Sequence, residues 1–573
     1  MPVHNSEIAS KFDHLADLLE IKDANEFRVR AYRNAANTIR DQSRSIASMV
    51  KEGDDLSELP DIGDDLAGKI TTIVRTGKFP LLEEVAEDMD EAIVDATRIP
   101  GIGPKRAKAL FDMLDLSSLD DLEDAAEEGE IADVSGFGEK TQARIKKELK
   151  QGDITEQRFH LDTAEDFAEP LIAYIREIDG VEKAEIAGSY RRRKETVGDL
   201  DILVAGQDGG AIIDAFVAYD EVDEVESKGK TRSTVTLRSG INVDLRVIPE
   251  ESWGAAIHYF TGSKKHNVAG RRRAQDRGLK LNEYGLYEEK SRVGGATEDE
   301  VYDAIGLPWI DPVLREDRGE IEAAEEGDLP DLVTLDDIRG DLHSHTTASD
   351  GKHSLRQMAE AAMDRGYKYL AITDHSKSQT QAGGLSADDL ERQIDDIAEL
   401  NDGFNGFRLL AGCEVDILED GDLDFPDSLL SKLDLVVASI HSKLDLDEEA
   451  QTDRIIRAMD SPEVNIIGHP TGRMLEKRRP YPLDMERLIE AAADRGCALE
   501  LNANPNRLDL SDIHCRQAAE LGVRIAISTD AHATGGLGNM RYGVDQARRG
   551  WLNRKDVLNT LSWHNLSRAL KRS

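Results

Sequence analysis

The spacing of apolar residues changes along the chain and separates regions of different structure. Up to about residue 150, segments such as NSEIASKFDHLADLLEI and RVRAYRNAANTIRDQ carry apolar residues at helical intervals. Between residue 158 and about residue 250, runs such as LDILVAG and INVDLRVIP predict strands, with one helix among them. From residue 339 onward, short apolar strands alternate with amphipathic helices, which is typical of a parallel β/α barrel.

These regions predict a multidomain α/β protein with a polar linker before the barrel. The stretch REDRGEIEAAEEGDLPDLVT has few apolar residues and is the expected linker. The predicted boundaries give a helical domain, a hairpin region, a sheet domain, a small mixed domain, the linker and the barrel, at residues 1–90, 91–157, 158–250, 251–318, 319–338 and 339–573.

One short pattern occurs three times in the helical region: LPDIGDDLAGKI at 59–70, IPGIGPKRAKAL at 99–110 and VSGFGEKTQARI at 134–145. Each places a glycine-containing hairpin before a helix start, where exposed amides can hold a phosphate. This predicts helix-hairpin-helix motifs that bind the DNA backbone without reading its sequence. Plain helix packing and a dinucleotide site are the alternatives, although the second lacks a preceding strand and a third glycine. The candidate backbone contacts are Gly101, Gly103, Gly136 and Gly138.

The charge of the chain complicates a nucleic-acid partner. There are 72 Lys and Arg residues against 114 Asp and Glu residues, a formal net charge of -42, which taken alone disfavours DNA binding. The acids are spread over the whole length, and an acidic surface everywhere is typical of adaptation to high salt, where the Debye length falls to about 3 Å. We therefore expect a halophilic source, with an acidic protein from ordinary salt as the alternative.

The remaining composition predicts a cytoplasmic protein. Cys413, Cys497 and Cys515 form no paired pattern, which fits a reducing compartment. The N-terminal MPVHNSEIAS has no apolar core of a signal peptide, and no apolar run reaches the length of about 18 residues that spans a membrane. We expect a monomer with no membrane association.

The first candidate site lies in AGSYRRRKETVGDLDILVAG. Asp199 and Asp201 are two residues apart on a predicted strand, so their side chains share a face and can hold a pair of cations. Asp244, on another predicted strand, is the natural third carboxylate. The other Asp-Leu-Asp sequences, at 422–424 and 445–447, lack such surroundings, and we interpret them as solvated pairs.

The residues just before this pair suit a nucleotide. Gly188 and Ser189 can offer an amide and a hydroxyl to a phosphate, and Arg192 can balance the charge of a triphosphate. The basic cluster of this stretch is therefore the expected electrostatic partner of a nucleotide–metal complex.

Several motifs in this half of the chain occur together in a recognisable order: GSYRR at 188–192, GDLD at 198–201, VDLRV at 243–247, YFTGS at 259–263 and NEYGLY at 282–287. The ordered set resembles the family X DNA polymerases, the class that contains DNA polymerase beta, over roughly residues 1–318. The resemblance implies a nucleotidyltransferase-type palm at 158–250, a thumb at 251–318 and a fingers-like hairpin region at 91–157. It implies gapped or primer–template DNA and dNTPs as partners.

The resemblance also assigns roles to single residues. Asp199, Asp201 and Asp244 are expected to hold two Mg²⁺ ions. The expected nucleotide contacts are Gly188, Ser189, Arg192, Tyr259, Phe260, Gly262, Asn267 and Arg271.

The N-terminal helices resemble the lyase domain of the same family. Lys69 falls at the position of the family's Schiff-base lysine, so it is a candidate nucleophile toward an abasic sugar. However, Asp65 stands where the family's lyases have another lysine, and a nearby anion raises the pKa of an amine. Asp61 replaces the hairpin glycine. A phosphate-contacting or surface lysine is the alternative.

The second candidate site is a set of histidines and acids at the ends of the barrel strands. Barrel enzymes build their sites at these ends, and mixed imidazole and carboxylate ligands suit Zn²⁺ or Mn²⁺. A single histidine at the end of a strand is more often structural. A set of histidines and acids at the ends of successive strands is hard to explain in that way. The candidate ligands are His343, His345, Asp350, His375, Glu414, His441, His469, Asp530 and His532.

This set resembles the PHP (polymerase and histidinol phosphatase) family across residues 339–573. The resemblance implies a distorted TIM-like barrel, up to three metal ions in nine ligand positions, and metal-dependent phosphoester hydrolysis. Next to a family X polymerase, it implies a 3′–5′ exonuclease that acts on DNA ends. Asp374 and Arg473 are expected to assist behind the ligands.

The sequence therefore predicts a DNA repair polymerase that fills gaps and also trims 3′ ends. One alternative is a small-molecule phosphoesterase fused to a nucleotidyltransferase with a non-DNA substrate. Another is a non-catalytic scaffold for DNA ends, which would need incomplete ligand sets.

Overall fold

The computed structural model describes residues 5–22, 24–40, 46–59, 61–86, 93, 96, 104–114, 116, 118–134, 137–138, 141–142, 145–146, 158–475 and 478–571. It divides into two compact units, Met1–Gln157 and Arg158–Ser573. Among the described helices, none is long and apolar enough to cross a membrane.

The first unit is helical. Its helices are α1 Asn5–Ile21, α2 Glu26–Arg40, α3 Ile46–Glu52, α4 Asp64–Thr76, α5 Pro80–Ala86, α6 Pro104–Leu114 and α7 Leu119–Glu128. Phe12 is fully buried at the centre of the larger core and stacks on Phe79 with ring centroids 5.1 Å apart. The apolar spacing noted in the sequence thus becomes the buried face of α1.

The predicted hairpins are only partly visible. Asp61 adopts φ 58°, the left-handed conformation, so it takes the place of a hairpin glycine directly before α4. Gly138 accepts backbone hydrogen bonds from Thr141 and Gln142, which begins a helical turn. Gly101, Gly103 and Gly136 lie outside the described residues.

The second unit begins with a five-stranded sheet, the predicted palm. Its strands are β2 Val181–Ile186, β4 Asp199–Gly206, β5 Val222–Lys228, β6 Arg232–Leu237 and β7 Asn242–Ile248, in the order β2-β4-β7-β6-β5. Only β4 and β7 pair in parallel. Beside it, β1 Phe159–His160 pairs with β3 Thr196–Val197. The palm helices are α8 Leu161–Arg176, α9 Gly188–Arg191 and α10 Gly209–Phe216.

The predicted thumb follows the palm sheet. It contains α11 Trp253–Thr261, α12 Lys264–Asp276, the antiparallel strands β8 Leu279–Asn282, β9 Gly285–Glu288 and β10 Ser291–Gly294, and α13 Glu298–Ile305. Its core surrounds the buried Tyr302.

The expected linker has few apolar residues, yet it contains a helix and contributes to both neighbouring cores. Residues Glu320–Glu326 form helix α14, whose Ile321 and Ala324 pack into the thumb core. Val333, a few residues later, is fully buried in the barrel core. Only a few apolar residues of this segment are buried, and they connect the thumb core to the barrel core. The rest of the segment can therefore be polar.

The last region is the predicted barrel. Its seven strands, β11 Gly340–Asp341, β12 Tyr369–Ile372, β13 Arg408–Asp416, β14 Leu435–Ser439, β15 Ile466–Ile467, β16 Ala498–Asn502 and β17 Ile525–Ser528, are all parallel and in sequence order. A bridge between Ser344 and Ala531 brings the first and last strands together, so the barrel is nearly closed. This confirms the multidomain α/β fold with a distorted TIM-like barrel.

Helices cover the outside of the barrel. They are α15 Leu355–Asp364, α16 Ala387–Asn401, α17 Asp427–Leu430, α18 Glu448–Ala458, α19 Met485–Arg495, α20 Asp512–Glu520, α21 Met540–Arg549 and α22 Trp563–Ala569. Tyr542 of α21 and Leu508 belong to the same buried cluster as the palm core. The barrel and the palm are therefore packed against each other.

Candidate active sites

The palm sheet brings the three predicted carboxylates together. Asp201 on β4 is the register partner of Asp244 on β7, and Asp199 lies two residues earlier on the same face of β4. Thr234 on β6 donates a hydrogen bond of 2.6 Å to Oδ1 of Asp244. One parallel strand pair thus places three acids side by side.

The acids of this group repel one another. Burial, together with the neighbouring Asp199 and Asp244, raises the pKa of Asp201 to about 7. Arg246 and Arg192 lower this pKa only in part, and Arg232 lies 3.7 Å from Oδ1 of Asp244. A cluster of oxygen ligands whose repulsion is only partly offset fits a pair of divalent cations such as Mg²⁺.

Gly188 allows its loop to approach the carboxylates closely. It has φ 60°, and a Cβ added there would lie 2.5 Å from Oδ2 of Asp201. Any other residue would push the loop away from the acids. Ser189 follows in the short helix α9, so its hydroxyl and amide are held near the carboxylate group.

Arg192, the predicted triphosphate ligand, is held between thumb and palm. Its Nη1 donates to the backbone oxygen of Thr261, and its Nε lies 3.1 Å from Oε1 of Glu316. Gly262, with φ 72°, also leaves room for this guanidinium, because a Cβ there would lie 3.1 Å from Nη1.

The other predicted nucleotide contacts form one group around the start of α12. The rings of Tyr259 and Phe260 meet edge to face with centroids 5.1 Å apart. The Asn267 side-chain amide donates to the backbone oxygen of Tyr259 at 2.6 Å, and Arg271 Nε donates to the backbone oxygen of Asn267 at 3.2 Å. The structure therefore places all eight predicted contacts in the palm and the adjoining thumb.

The barrel gathers all nine predicted ligands at the carboxyl ends of its strands. Glu414, which lies within β13, is at the centre, with His375 Nδ1, His469 Nε2 and His441 Nε2 at 2.8, 3.0 and 3.2 Å from its carboxylate oxygens. Three subsets have ligand atoms close enough to share a metal ion: His345, Asp350, His375 and His532; His343, His345 and Asp530; and His375, Glu414 and His441.

The donor atoms of this cluster are those that a metal would use. Several buried side-chain atoms make no hydrogen bond of good geometry, although His375 Nδ1 lies 2.8 Å from Oε2 of Glu414; they are His343 Nε2, His345 Nδ1, His375 Nδ1, His469 Nδ1 and Glu414 Oε2. A buried polar atom without a well-formed hydrogen bond is costly, and a metal ion would satisfy such donors. Imidazole and carboxylate donors together fit Zn²⁺ or Mn²⁺.

Electrostatics within the barrel site differ from those in the palm. Burial lowers the pKa of His343, but the adjacent Glu500 and Glu414 outweigh burial and hold that pKa well above its usual value. Burial raises the pKa of Glu414, but His441, His343 and His375 outweigh it and hold that pKa well below its usual range. Acids and histidines therefore stabilise each other's charge, and the cluster can bind protons or metal.

Two acids behind the ligands were missed by the sequence analysis. His343 Nδ1 lies 2.7 Å from Oε1 of Glu500 on β16, and His441 Nδ1 lies 2.6 Å from Oδ1 of Asp416 on β13. Such contacts fix which ring nitrogen faces the metal. A signal was present, since Glu500 lies between the apolar residues of β16 and Asp416 ends β13 two residues after the predicted ligand Glu414.

The two expected supporting residues have different surroundings. Asp374 accepts hydrogen bonds from Thr346, Ser349 and Gln393, and so fixes the loop that leads to the predicted ligand Asp350. Arg473 Nη2 lies 2.7 Å from Oε2 of Glu195 in the palm. It also donates to the backbone oxygens of Arg507 and Leu508 in the barrel, so it joins the barrel to the palm.

The other Asp-Leu-Asp sequences are not metal-binding groups in the described structure. Asp422 is exposed and pairs with Arg457 at 2.7 Å, and Asp447 caps the start of α18. The prediction of solvated pairs is wrong for Asp424. This residue is buried, and its Oδ2 accepts a hydrogen bond of 2.7 Å from the backbone amide of Ser378.

Lys69, in the first unit, has an acid as its partner. Burial lowers its pKa, but hydrogen bonds with Asp65 and the Tyr32 hydroxyl outweigh burial, so the pKa of Lys69 is raised. This is the direction expected from Asp65 in the sequence, and it disfavours a free amine.

Known proteins resemble this chain in five consecutive segments. The matching family models are a helix-hairpin-helix domain at residues 3–79, a SAM-like helix-hairpin-helix tandem at 93–151, the DNA polymerase beta palm at 162–240, the DNA polymerase beta thumb at 256–316 and a PHP domain at 341–504.

One relative matches over the whole length. The DNA polymerase/3′-5′ exonuclease PolX of Bacillus subtilis (strain 168) is 37% identical over 577 residues, covering 100% of both chains. A probable phosphatase of Thermoanaerobacter sp. (strain X514) is 31% identical over 231 residues, 38% of this chain and 89% of that protein. A probable phosphatase of Acetivibrio thermocellus is 32% identical over 202 residues, 34% of this chain and 78% of that protein.

Proposed function

Because this chain belongs to the family X DNA polymerases that carry a C-terminal PHP domain, we propose that it is a DNA repair polymerase with a second, nucleolytic site. The palm adds nucleotides to a primer, and the barrel removes them in the 3′–5′ direction. The observation that carries this proposal is that both ligand sets are complete in a chain whose full-length relative is described as a DNA polymerase/3′-5′ exonuclease.

In the palm, we assign two Mg²⁺ ions to Asp199, Asp201 and Asp244. Divalent ions, when bound, supply charge neutralisation for the phosphates and activation of the attacking oxygen. Ser189 and Arg192 bind the triphosphate.

The remaining palm and thumb contacts select and orient the nucleotide. Tyr259, Phe260 and Gly262 line the sugar, and Gly188 keeps the loop close to the carboxylates. Asn267 and Arg271 face the minor-groove side of the new base pair.

In the barrel, we assign up to three Zn²⁺ or Mn²⁺ ions to the nine clustered residues. Glu500 and Asp416 set the orientation of His343 and His441, and Asp374 fixes the loop of Asp350. The support for this assignment is that three subsets of these residues have ligand atoms close together, and that several of the buried donors make no well-formed hydrogen bond.

The test is a primer-extension assay on gapped duplex DNA, with and without dNTPs, joined to a metal analysis. We expect extension when dNTPs are present and shortening of the 3′ end when they are absent. Hydrolysis of a small phosphate ester with no action on DNA would instead support the small-molecule phosphoesterase. No activity on either substrate would support the scaffold.

The acidic surface supports a working environment of high salt. A net charge of -42 is strongly self-repelling in dilute buffer and largely screened in molar salt. High salt also weakens phosphate contacts through counterion release, so DNA binding would depend more on metal bridges and hairpin amides such as that of Gly138 than on lysines. A thermal-melt series with its highest stability near zero salt would contradict this part of the proposal.

We place the protein in the cytoplasm as a monomer that works on chromosomal DNA. No disulfide joins the three cysteines, all of which are buried in the described part of the chain, in keeping with a reducing compartment. Sedimentation in high salt, with one species at 63.3 kDa expected, tests the monomer.

A further inference from the structure

We propose that Arg549 of the barrel is a positioning residue for nucleotide addition, because it holds Arg192 and its loop where the guanidinium can reach the triphosphate. This inference rests on the proposed function of the palm. It assigns the barrel a part in polymerisation that needs none of the barrel's metal ligands.

Arg549 is the last residue of helix α21, and its side chain is only 2% exposed. Its Nη1 donates to the backbone oxygen of Arg192 at 2.8 Å and lies 3.1 Å from Oε1 of Glu316. Its Nη2 lies 2.8 Å from Oδ2 of Asp512. A single buried guanidinium thus touches the palm loop, the end of the thumb and the barrel.

Glu316 is shared between the two arginines. The same Oε1 that contacts Arg549 lies 3.1 Å from Nε of Arg192. Burial raises the pKa of Glu316, but Arg549 and Arg192 outweigh it and lower that pKa to about 2, so the carboxylate is ionised. Arg549 therefore supplies part of the positive charge that this buried acid requires, and Arg192 does not have to supply all of it.

The same helix grips the loop at a second place. Arg193, next to Arg192, lies 2.7 Å from Oδ2 of Asp545 on α21 and 2.6 Å from Oε1 of Glu165 in the palm. The Tyr542 hydroxyl of α21 donates to Glu165 at 2.8 Å. One face of α21 is thus attached along the loop that carries the triphosphate ligand.

Loss of Arg549 would affect Arg192 in two ways. The backbone of Arg192 would lose the donor that fixes it, and Glu316 would be left with Arg192 as its main guanidinium partner. Both changes reduce the availability of Arg192 to a triphosphate. Since Arg192 contributes to binding the nucleotide both before and during reaction, the loss should appear mainly in KM.

The experiment measures kcat and KM for dNTP addition on gapped duplex DNA with the full chain. Arg549→Met should raise the KM for dNTP by about tenfold, the factor expected for one charge-assisted hydrogen bond, with a smaller change in kcat. Arg549→Lys keeps the charge, but its single nitrogen cannot replace both Nη1, beside Arg192 and Glu316, and Nη2, beside Asp512, so it should recover part of the KM. The rate of 3′–5′ shortening should stay at the wild-type value in both variants.

The matched control is Arg548→Met, on the same helix. Arg548 also bridges to the polymerase half, through Asp311 at 2.6 Å, but it does not contact the loop of Arg192. It should leave the KM for dNTP unchanged. An equal rise in KM for both variants would mean general loosening of the interface and would overturn the proposal.

Two further outcomes of this experiment can be told apart from failure of the positioning role. If Arg549→Met fails to fold, Arg549→Lys decides: a wild-type KM in that variant would overturn the positioning role. If the wild-type chain itself adds no nucleotides, it is the proposed function of the palm that fails.

Discussion

The carboxylate group of the palm and the histidine cluster of the barrel differ in how their charges are balanced. In the palm, burial and the neighbouring Asp199 and Asp244 raise the pKa of Asp201 to about 7. In the barrel, Glu414 is surrounded by histidines that hold its pKa well below the usual range. The arginines near the palm carboxylates do not offset the repulsion at Asp201, whereas the barrel site contains groups that become cations by binding protons.

The difference indicates two modes of metal use. Three mutually repelling carboxylates on one strand pair suit ions that arrive together with a nucleotide and leave with the product. A buried cluster of imidazoles and acids, oriented by Glu500 and Asp416, suits ions that remain with the protein. The two sites should therefore respond separately to mutation.

The largest expected effect is on the barrel. Replacing His343 and His345 together by Ala removes one ligand from the first subset and two from the second. We expect 3′–5′ shortening to fall by at least roughly 10³, with less bound transition metal and normal primer extension. Shortening that persists in this double variant would place the nuclease elsewhere.

The corresponding change in the palm is Asp201→Ala. It removes one of three charge-bearing ligands, and we expect nucleotide addition to fall by roughly 10²–10³ or more while primers still shorten. Asp422→Ala, in the other Gly-Asp-Leu-Asp sequence, is the control and should extend primers at the wild-type rate. Loss of both activities in a folded Asp201→Ala protein would show that the two sites are coupled in their chemistry.

A smaller effect is expected from Glu500, which orients the predicted ligand His343 in the barrel and has no counterpart described in the palm site. Glu500→Gln removes the charge that orients His343, and we expect the affinity for the barrel metal to fall by roughly 10- to 100-fold. A metal titration followed by shortening rates measures this. Asp460→Asn is the control, because Asp460 is 62% exposed in its pair with Arg495 and such pairs contribute little. Equal metal affinity in both variants would remove Glu500 from the site.

The smallest effect extends the comparison to Lys69, another base that an acid keeps protonated. Asp65→Asn removes this acid, so more of the amine should be neutral and able to attack an abasic sugar. We expect reductive trapping of the chain on abasic DNA to increase by a small factor over a weak wild-type signal. Lys69→Ala should abolish the trapped product, and an undiminished signal would exclude Lys69 as the nucleophile.

The sequence predicted those parts of the sites that depend on local order. Asp199 and Asp201 share a strand, and parallel barrel strands end at one edge, so most of the candidate ligands could be brought together from their places at strand ends, with the full set of nine implied by the PHP resemblance. Glu500 was not predicted, because its contact with His343 joins residues 157 positions apart and depends on which strands become neighbours.

The structural elements that the sequence did not predict have a common physical feature. The acidic strand β5, VDEVESK, has no apolar alternation and exists because it pairs with β6 at the edge of the palm sheet. The supposed linker is likewise polar, yet Arg315 within it is fully buried and pairs with Glu298 at 2.6 Å. Apolar patterns do not show structure that is held by strand pairing or by buried ion pairs.

Because the barrel is nearly closed, its site needs residues from both ends of the barrel sequence, and it cannot form until the last strand has been synthesised. His345 meets Asp530, a residue made 185 positions later, at the seam where the first and last strands join. At ordinary rates of synthesis this interval lasts roughly 10 to 40 s. Throughout that time the palm and thumb have left the ribosome or are leaving it. The histidines near the start of the barrel, such as His345, still lack partners such as Asp530. A newly made chain thus contains its whole palm and thumb before its barrel site is complete. Arg549, which is made after Asp530, adds its support to Arg192 only once the last barrel ligands have also been made.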